Sequence, residues 1–190
     1  MKLRNKYFIL RHGQTIYQTK KKNYIYPWSD KPPVKLTQKG ESQIKKVAKK
    51  LKKLKVDLIF SSDFFRTRQT AKIVVEGLNK RIHFDKRLRD VNLGIYRGRT
   101  KDEFYHDFPK YFKKRFYQKP KQGESWLVCQ KRMLNFLKDI DKRHKGKTIL
   151  IISHGDPLWL LEGALKSRSL LKLLKEKKTN FIKVGELRKL

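Results

Sequence analysis

Two short apolar runs, each ending in a histidine and a glycine, constrain the fold of this chain most strongly. Tyr7–Leu10 leads into Arg11-His12-Gly13, and Thr148–Ile152 leads into Ser153-His154-Gly155. Apolar runs of this length are typical of strands buried inside a sheet. Because open α/β sheets bind ligands at the carboxyl ends of their strands, we expect the two histidines to meet over one site.

Segments with helical spacing alternate with further apolar runs along the chain. Ile44, Val47 and Leu51 recur at three- and four-residue spacing after Thr37, which predicts a helix capped by that threonine. Further predicted elements are strands at Val56–Phe60 and Ile82–Phe84, and helices from about Phe64 to Leu78, from Gly123-Glu124-Ser125 and from Pro157. This alternation favours a three-layer α/β/α sandwich with a mainly parallel central sheet.

Two of these helices carry start signals of their own. Ser61-Ser62-Asp63 is expected to cap the helix near Phe64. Pro157 is expected to take the first position of its helix. Cys129 falls within an apolar stripe that begins at Trp126, and we expect it to be a small core residue.

The chain of 190 residues is expected to form one domain. Residues 91–122, rich in aromatic and basic side chains, are predicted to form a small helical cap insertion. Residues 167–190 are predicted to form a basic tail, with a helix through Leu174 and an edge strand near Phe181–Val184. Residues 16–35 show no period and are expected to form a long ordered loop near the site.

The charge of the chain is strongly positive, with 50 lysines and arginines against 17 acidic residues and a net charge of +33. Such a surface attracts polyanions and also favours the capture of phosphorylated small molecules. The excess lysines are spread over the whole chain, as in Lys45-Lys46 and Lys49-Lys50. Two interpretations therefore stay open: a general surface property, or a selected polyanion or nucleic-acid partner.

The remaining composition excludes several classes of protein. A single cysteine excludes an intramolecular disulfide framework and a multi-cysteine metal site. No apolar run approaches the ~20 residues that a membrane span needs, and the N-terminus lacks the apolar segment of a signal peptide. We therefore expect a cytoplasmic protein that does not engage a membrane.

Two arginines accompany the two histidines at the expected strand ends. Arg11 directly precedes His12, and Arg66 stands at the start of the helix that follows the second strand. An arginine fork suits a phosphate, and helix N-termini favour anions. If the strands that precede these residues and His154 are neighbours, the four side chains converge on one pocket suited to a dianionic phosphoryl group.

Several segments, in chain order, resemble the motifs of the histidine phosphatases, also called the phosphoglycerate mutase-like superfamily. Arg11–Thr15 is similar to the family's Arg-His-Gly-x-Thr, and Leu36–Gly40 is similar to its Leu-Thr-x-x-Gly. Ser61–Ala71 is similar to the family's second arginine motif, and Leu88-Arg89-Asp90, followed by Gly94 and Gly98, is similar to its acid segment. Gly123–Ser125 and Ser153–Gly155 complete the motifs in the family's order. The resemblance extends over nearly the whole chain, from residue 7 to about residue 165.

The resemblance implies a phosphomonoester hydrolase that needs no metal and no cofactor and acts on a small phosphorylated metabolite. His12 would be the nucleophile that forms a phosphohistidine intermediate. His154, with Arg11 and Arg66, would stabilise the charge on the phosphoryl oxygens. Thr15 and Gln18 are candidate phosphate-binding residues, and Gln18 stands where related mutases commonly have asparagine. The expected partner is thus a small phosphorylated substrate.

The acid that protonates the leaving group is the main departure from the family pattern. Asp90 stands where the family usually has glutamate, and its side chain is one methylene shorter. Asp156, two residues after His154, is the other candidate acid. The alternatives are that Asp90 lies in a surface turn and that Asp156 caps a helix. Glu124 is either a substrate-side contact or a helix cap.

The short insertion between Gly98 and Gly123 favours a phosphatase, because the mutases that the chain resembles have a longer cap. A phosphoglycerate mutase-type phosphotransferase is the alternative, since cap cations could hold a second phosphate: Lys113, Lys114, Arg115, Lys119 and Lys121. A catalytically retired scaffold that binds RNA or another polyanion is a further alternative. Four aromatic residues could line an organic pocket or pack in a core: Trp28, Tyr96, Tyr105 and Phe108.

Overall fold

The computed structural model describes residues 2–19, 24–28, 30–76, 78–108 and 114–190. The strands in these ranges are β1 (Lys6–Arg11), β2 (Leu58–Ser61), β3 (Ile82–Phe84), β4 (Thr148–Ser153) and β5 (Leu187–Lys189). The α-helices are α1 (Gln38–Lys53), α2 (Phe65–Val75), α3 (Lys101–Asp107), α4 (Lys114–Tyr117), α5 (Trp126–Arg143), α6 (Gly155–Leu165), α7 (Leu170–Lys175) and α8 (Lys177–Asn180). Short 3₁₀ turns lie at Ile16–Gln18, Lys86–Leu88 and Gly94–Tyr96.

The strand β4 lies at the centre of the sheet, whose strand order is β3-β2-β4-β1-β5. It pairs in parallel with β1 on one side and with β2 on the other, and β3 is parallel to β2. The register pairs Arg11 with Ser153 and Ser61 with Ile152. The three central strands therefore end at the same edge, as the predicted mainly parallel sheet requires.

The side chains of β4 alternate between two cores. Ile149 and Ile151 belong to the cluster that contains the apolar faces of α5 and α6, whereas Leu150 and Ile152 belong to the cluster that contains those of α1 and α2. Successive side chains of a strand point to opposite faces, so one helical layer covers each side of the sheet. This arrangement confirms the α/β/α sandwich. Cys129 is fully buried in the first cluster, as predicted.

Helix capping agrees with the sequence at α1 and differs from it at α2. Thr37 caps α1, since its hydroxyl oxygen accepts from the amide of Gly40 at 3.0 Å. The prediction that Ser61-Ser62-Asp63 caps α2 is wrong. The first amide of α2, that of Phe65, donates instead to the carboxylate of Asp30, which comes from the loop before α1. A distant carboxylate replaces the local one because Asp63 is engaged by Arg89 (2.7 Å).

Two further boundaries differ from the prediction. The strand β2 begins at Leu58 rather than Val56, because its ladder with β4 starts where Leu58 pairs with Ile149. Val56 packs in the core with residues of α1. The helix α6 begins at Gly155, so Pro157 takes its third position rather than its first. The amides of a first helical turn have no intrahelical partner, and a proline is therefore tolerated at this position as well.

The C-terminal residues form part of the sheet. The helices α7 and α8 lead to β5, which pairs with β1 in the antiparallel direction. The prediction of an edge strand at Phe181–Val184 is wrong in position. Ile182 is buried in the core, Gly185 turns the chain with a φ of 69°, and the strand follows that turn. Among the described residues, no helix is both long and apolar enough to cross a bilayer.

Candidate active site

Four predicted site residues meet at the carboxyl edge of the sheet. Arg11 ends β1 and His12 follows it, His154 follows β4, and Arg66 lies in the first turn of α2. The rings of His12 and His154 have centroids 5.4 Å apart. The amide of His12 also donates to the carbonyl of Ser153 at 3.1 Å, which joins the two strand ends. The structure thus brings the two histidines and the two arginines together.

Two motif glycines let α1 lie directly against the loop that follows His12. A Cβ atom at Gly40 would lie 2.1 Å from the backbone oxygen of Gln14, and one at Gly13 would lie 2.6 Å from the backbone oxygen of Gly40. Backbone atoms cannot move aside as a flexible side chain can, so a larger residue would displace the loop or the helix. The glycines therefore help to set the position of His12.

His12 is oriented and kept neutral by its surroundings. Its Nδ1 atom lies 2.8 Å from the carbonyl oxygen of Gly13, so Nδ1 carries the proton and donates it, and Nε2 has a free lone pair. The side chain is 1% exposed. Burial first, and then the cations Arg66 and Arg11, hold the pKa of His12 well below that of a free histidine. A neutral imidazole with a free Nε2 is the form that acts as a nucleophile.

Buried nitrogen atoms without hydrogen-bond partners lie on the side chains of this site. Within the described residues these are Nε and Nη1 of Arg66, Nε of Arg11 and Nδ1 of His154. Leaving a buried donor unpaired costs about 1–3 kcal/mol, and more when the group is charged. Four such atoms on three neighbouring cationic or polar side chains therefore indicate a site whose ligand is an anion.

Aromatic rings and carboxylates hold Arg66 in place. Its guanidinium carbon lies 4.0 Å from the centroid of the Tyr26 ring and 5.2 Å from that of Phe64. Nη2 donates to Asp90 at 3.0 Å, and Nη1 lies 3.8 Å from the carboxylate of Asp30. The side chain is fully buried. Arg66 is therefore preorganised, with its remaining donors available to a phosphoryl group.

Arg11 is held by the C-terminal segment of the chain. Its Nη1 atom donates to the carbonyl oxygen of Ile182 at 2.9 Å, and its guanidinium carbon lies 5.4 Å from the centroid of the Phe181 ring. The residues that follow α8 thus orient one of the two arginines that are expected to bind phosphate. The sequence pattern predicted no role for this segment in the site.

His154 is fixed by a serine of the β2–α2 connection. Its Nε2 atom lies 3.0 Å from the hydroxyl oxygen of Ser62, and its Nδ1 atom lies 3.7 Å from the carboxylate of Asp90. Burial first, and then nearby cations led by Arg66, hold its pKa well below that of a free histidine. Ser62, expected only to cap a helix, is therefore a partner of the second histidine.

Asp90 lies inside the site rather than in a surface turn. One carboxylate oxygen accepts from Arg66, and the other accepts from the amide of Val91 at 2.9 Å. Burial raises the pKa of Asp90, and the nearby carboxylate of Asp156 raises it further, whereas Arg66 opposes the rise. The net shift is upward. Asp90 can therefore carry a proton at a higher pH than an ordinary aspartate.

Asp156 has the opposite character. Its carboxylate lies 2.9 Å from Nζ of Lys177 and 4.0 Å from Nη2 of Arg115. Burial would raise the pKa of Asp156, but the two cations outweigh that effect and lower it. Asp156 is therefore ionised where Asp90 can be protonated, and of the two candidate acids Asp90 has the environment that an acid needs.

Thr15 and Gln18 contact each other and the hydroxyl of Tyr26. They form a capping box of the turn Ile16–Gln18, in which Oε1 of Gln18 accepts from the amide of Thr15 at 2.7 Å. The hydroxyl of Thr15 and the side-chain amide of Gln18 both contact the hydroxyl of Tyr26. The two residues therefore support the tyrosine that stacks on Arg66, and their contact with phosphate stays a prediction.

A cavity of about 250 Å³ opens above these groups. Its polar end is formed by Arg11, Arg66, Asp90 and Asp156. The two histidine rings contact its wall. The ring centroids of His12 and Tyr26 are 6.0 Å apart, and those of His154 and Phe64 are 5.5 Å apart. Aromatic side chains form much of the rest, namely Tyr24, Tyr26, Trp28, Phe64, Phe104, Tyr105 and Phe181. The cavity can therefore hold a phosphoryl group joined to a small organic body.

The expected lining residues are only partly in this cavity. Trp28 and Tyr105 line it, whereas Tyr96 and Phe108 pack with Phe104 in a separate small core. Among the cap cations, Arg115 lines the cavity, Lys114, Lys119 and Lys121 do not, and Lys113 lies outside the described residues. Two cations outside the sequence motifs, Lys101 and Lys177, complete the basic wall.

Glu124 has neither of the two roles expected of it. Its carboxylate accepts from the guanidinium of Arg132, at 2.6 and 3.0 Å, and from the amide of Asn92, at 3.0 Å. Ser125, not Glu124, caps α5. In the part of the chain that the structure describes, no three His, Cys, Asp or Glu side chains are grouped so that they could hold a metal ion.

Comparisons with known proteins agree with this geometry. The family model of the histidine phosphatase superfamily (branch 1) matches residues 7–180. The "Probable phosphoglycerate mutase GpmB" of Escherichia fergusonii is 33% identical over 159 residues, which cover 81% of this chain and 71% of that protein.

Solved structures show the same fold. Bacillus stearothermophilus YhfR superposes with a TM-score of 0.83 at 28% identity, over 97% of this chain and 90% of that one. A mycobacterial glucosyl-3-phosphoglycerate phosphatase superposes with a TM-score of 0.80 at 22% identity, over 97% and 89% of the two chains. With its strand-end histidines and arginines in place, the chain belongs to the histidine phosphatase superfamily, branch 1.

Proposed function

We propose that this protein is a metal-independent phosphomonoester hydrolase that acts on a small phosphorylated metabolite through a phosphohistidine at His12. The observation that carries the proposal is the pairing of a free Nε2 atom on neutral His12 with the unpartnered donors of Arg11, Arg66 and His154. A nucleophile and a preorganised set of cations around one position are what phosphoryl transfer requires.

In the first step, Nε2 of His12 attacks phosphorus and the bond from phosphorus to the ester oxygen breaks. Arg11 and Arg66 stabilise the charge on the non-bridging oxygens as it redistributes. Asp90 gives its proton to the departing oxygen, so the product leaves as a neutral alcohol. The raised pKa of Asp90 supports this role, since the carboxyl group must be protonated before the step.

In the second step, water attacks the phosphohistidine and inorganic phosphate is released. The Asp90 carboxylate accepts a proton from the attacking water, which restores the acid for the next turnover. His12 leaves as a neutral imidazole, with its Nδ1 proton still held by the Gly13 carbonyl. The same two side chains thus serve both halves of the reaction.

His154 responds to the charge of the bound group. Burial and the nearby cations lower its pKa, whereas a phosphoryl dianion next to the ring acts in the opposite direction. Its Nδ1 atom has no hydrogen-bond partner, while Nε2 is engaged by Ser62. Nδ1 is therefore the atom that would donate to a phosphoryl oxygen.

One observation favours a second candidate, a phosphoglycerate mutase-type phosphotransferase. Lys101, Arg115 and Lys177 line the same cavity as the phosphoryl site, where they would attract a second anionic group of a substrate. The relative named as a probable phosphoglycerate mutase supports this alternative. Assaying both released phosphate and isomerised phosphoglycerate in one reaction separates the two: a hydrolase gives phosphate, and a mutase gives the isomer.

The test of the proposed function is the hydrolysis of para-nitrophenyl phosphate in the presence of EDTA by the wild type and by His12→Ala. Activity that survives EDTA and is lost in His12→Ala supports the proposal. A matched control is His106→Ala, because His106 is 88% exposed and lies outside the cavity wall. Equal activity of the wild type and His12→Ala, or activity abolished by EDTA, would contradict it.

A further inference from the structure

A partly buried arginine on α5, Arg132, holds the backbone of the segment that carries Asp90. All five N–H groups of the Arg132 guanidinium have acceptors within hydrogen-bond distance. Nε donates to Glu124 at 3.0 Å, Nη1 donates to the carbonyl oxygens of Arg87 at 2.6 Å and Arg89 at 2.8 Å, and Nη2 donates to the carbonyl oxygen of Asp90 at 2.8 Å and to Glu124 at 2.6 Å. A guanidinium has five donors in a fixed fork, so this one is fully used.

The acid segment has only a short 3₁₀ turn and no sheet ladder, and side chains supply the hydrogen bonds to its carbonyl oxygens. Four consecutive carbonyl oxygens, from Arg87 to Asp90, each accept from a side chain. Three of them accept from Arg132, and the fourth, that of Leu88, accepts from the hydroxyl of Ser153 at 2.6 Å. Because Ser153 directly precedes His154, the acid segment is tied to the strand that delivers the second histidine.

Glu124 anchors the backbone on the C-terminal side of Asp90. One of its oxygens accepts both from Arg132 and from the amide of Asn92, and its own amide donates to the carbonyl of Asn92 at 2.8 Å. The backbone is therefore anchored on both sides of the acid. Neither Arg132 nor Glu124 lines the cavity that contains the phosphoryl site.

Because the side chain of Asp90 is short, the position of its backbone determines where its carboxyl group lies. An aspartate reaches the leaving oxygen only if its backbone is close enough, since it has one methylene fewer than glutamate with which to adjust. We propose that Arg132, held by Glu124, is a positioning residue that sets the distance between the Asp90 carboxyl group and the leaving oxygen. This inference rests on the proposed hydrolase function, and the experiment below separates the failure of one from the failure of the other.

The test compares Arg132→Lys with the wild type on two substrates that differ in their need for an acid. An alkyl phosphate needs its leaving oxygen protonated, whereas para-nitrophenyl phosphate has a good leaving group and needs this much less. Lysine keeps the positive charge and loses the fork of donors. We expect kcat/KM to fall about 10- to 100-fold more for the alkyl phosphate, as misplacement of a catalytic group by about an ångström produces.

A double-mutant cycle removes the possibility of a purely structural effect. If Arg132 acts through Asp90, the additional penalty on the alkyl phosphate disappears when Arg132→Lys is made in the Asp90→Asn background. Glu124→Gln leaves Arg132 in place and should give the same leaving-group dependence with a smaller loss. Arg143→Lys is the matched control on the same helix, because that side chain is 66% exposed and pairs only with Asp139 among the described residues.

The outcomes are distinct. A leaving-group-dependent loss in Arg132→Lys and Glu124→Gln, absent in Arg143→Lys and cancelled by Asp90→Asn, supports the positioning role. Equal losses on both substrates, or a penalty that persists without Asp90, would overturn it while the wild-type activity still supports the hydrolase. If the wild type cleaves neither substrate and forms no phosphoenzyme, the proposed function and this inference fail together.

Discussion

Nη2 of Arg66 donates to Oδ2 of Asp90 at 3.0 Å, and the same carboxylate oxygen lies 3.7 Å from Nδ1 of His154. One carboxyl group therefore touches both an arginine and a histidine that face the phosphoryl site. Burial raises the pKa of Asp90 and outweighs the opposing effect of Arg66. The proposed proton donor thus lies next to two candidate phosphate-binding groups, and its raised pKa favours its protonated form.

The first prediction concerns Asp90→Asn. Asparagine fills nearly the same space but cannot give up a proton, so we expect kcat/KM for an alkyl phosphate to fall by about 10²- to 10⁴-fold, the usual range for a lost general acid. The loss on para-nitrophenyl phosphate should be smaller, and steady-state kinetics measures both. Asp156→Asn is the comparison. A larger leaving-group-dependent loss in that variant would assign the acid to Asp156 instead.

The second prediction concerns pH. Asp90 acts as the acid in its protonated form, and its pKa is raised, so activity on alkyl phosphates should persist above the usual range of an aspartate and decline as pH rises through that raised pKa. His12 must be neutral to attack, and its pKa is lowered, so the decline caused by its protonation should lie well to the acid side of pH 6.5. Profiles of kcat/KM for the wild type and Asp90→Asn measure this.

Dividing the kcat/KM profile of the wild type by that of Asp90→Asn removes the contribution of substrate ionisation, because that contribution is the same for both proteins. The ratio should fall with rising pH as the wild type loses the proton that the variant never had. A ratio that stays constant across the range would mean that Asp90 is not the titrating acid.

The third prediction concerns Lys177. Its ammonium group pairs with Asp156 and lies 4.2 Å from the centroid of the Trp126 ring, in the basic wall of the cavity. Lys177→Met should raise KM about 10-fold for phosphomonoesters that carry a second anionic group, in line with the loss of one charge-assisted hydrogen bond. KM for alkyl phosphates that lack a second anionic group should change little. Lys178→Met is the matched control, since Lys178 is exposed. Equal effects on both substrates would argue against a second anion subsite.

The fourth prediction concerns stability at low pH. Asp141 accepts from the amide of Arg4, from the side chain of Asn5 at 2.9 Å and from the hydroxyl of Tyr7 at 3.1 Å. Burial would raise the pKa of Asp141, but these hydrogen bonds outweigh it and lower it. The resulting stability is present above the pKa of about 3.9 in the unfolded chain, and it is lost as pH falls through the lower folded-state pKa.

Denaturant unfolding of the wild type and Asp141→Asn across this acidic range measures the effect. At neutral pH the variant should be less stable by on the order of 2 kcal/mol, because it loses hydrogen bonds to a buried charged group. The difference between the two proteins should shrink as pH falls. Asp102→Asn, at an exposed position on α3, is the control. A difference that is independent of pH would contradict the assignment.

Much of the convergence of the candidate site residues could be predicted because these residues lie at the ends of secondary-structure elements. His12 and His154 come after apolar runs, and Arg66 comes at the start of a helix, so their convergence depends only on which strands are neighbours. The acid could be located by resemblance to the family. Its environment could not, because the groups that tune it, Arg66 and Asp156, lie on other elements.

The residues that the sequence did not predict act across long separations in the chain. Arg11 is held by a carbonyl 171 residues away, at Ile182. Asp30 accepts a hydrogen bond from the first amide of α2 and pairs with Arg66, and it comes from a loop whose sequence shows no helical or strand periodicity. Such partners leave no spacing pattern to read. The same holds for β5, since a strand of three residues that forms by pairing with β1 has too few positions to show an alternation.

The central claim is that His12 carries the phosphoryl group during turnover, and it is tested most directly by trapping the intermediate. A radiolabelled phosphomonoester is mixed with the enzyme, the reaction is quenched in alkali within the first turnover, and the labelled peptide is identified by mass spectrometry. We expect one labelled peptide with the phosphate on His12, stable in alkali and lost in acid, and absent from His12→Asn. Steady turnover without any labelled protein, or a label on another residue that persists in His12→Asn, would contradict it.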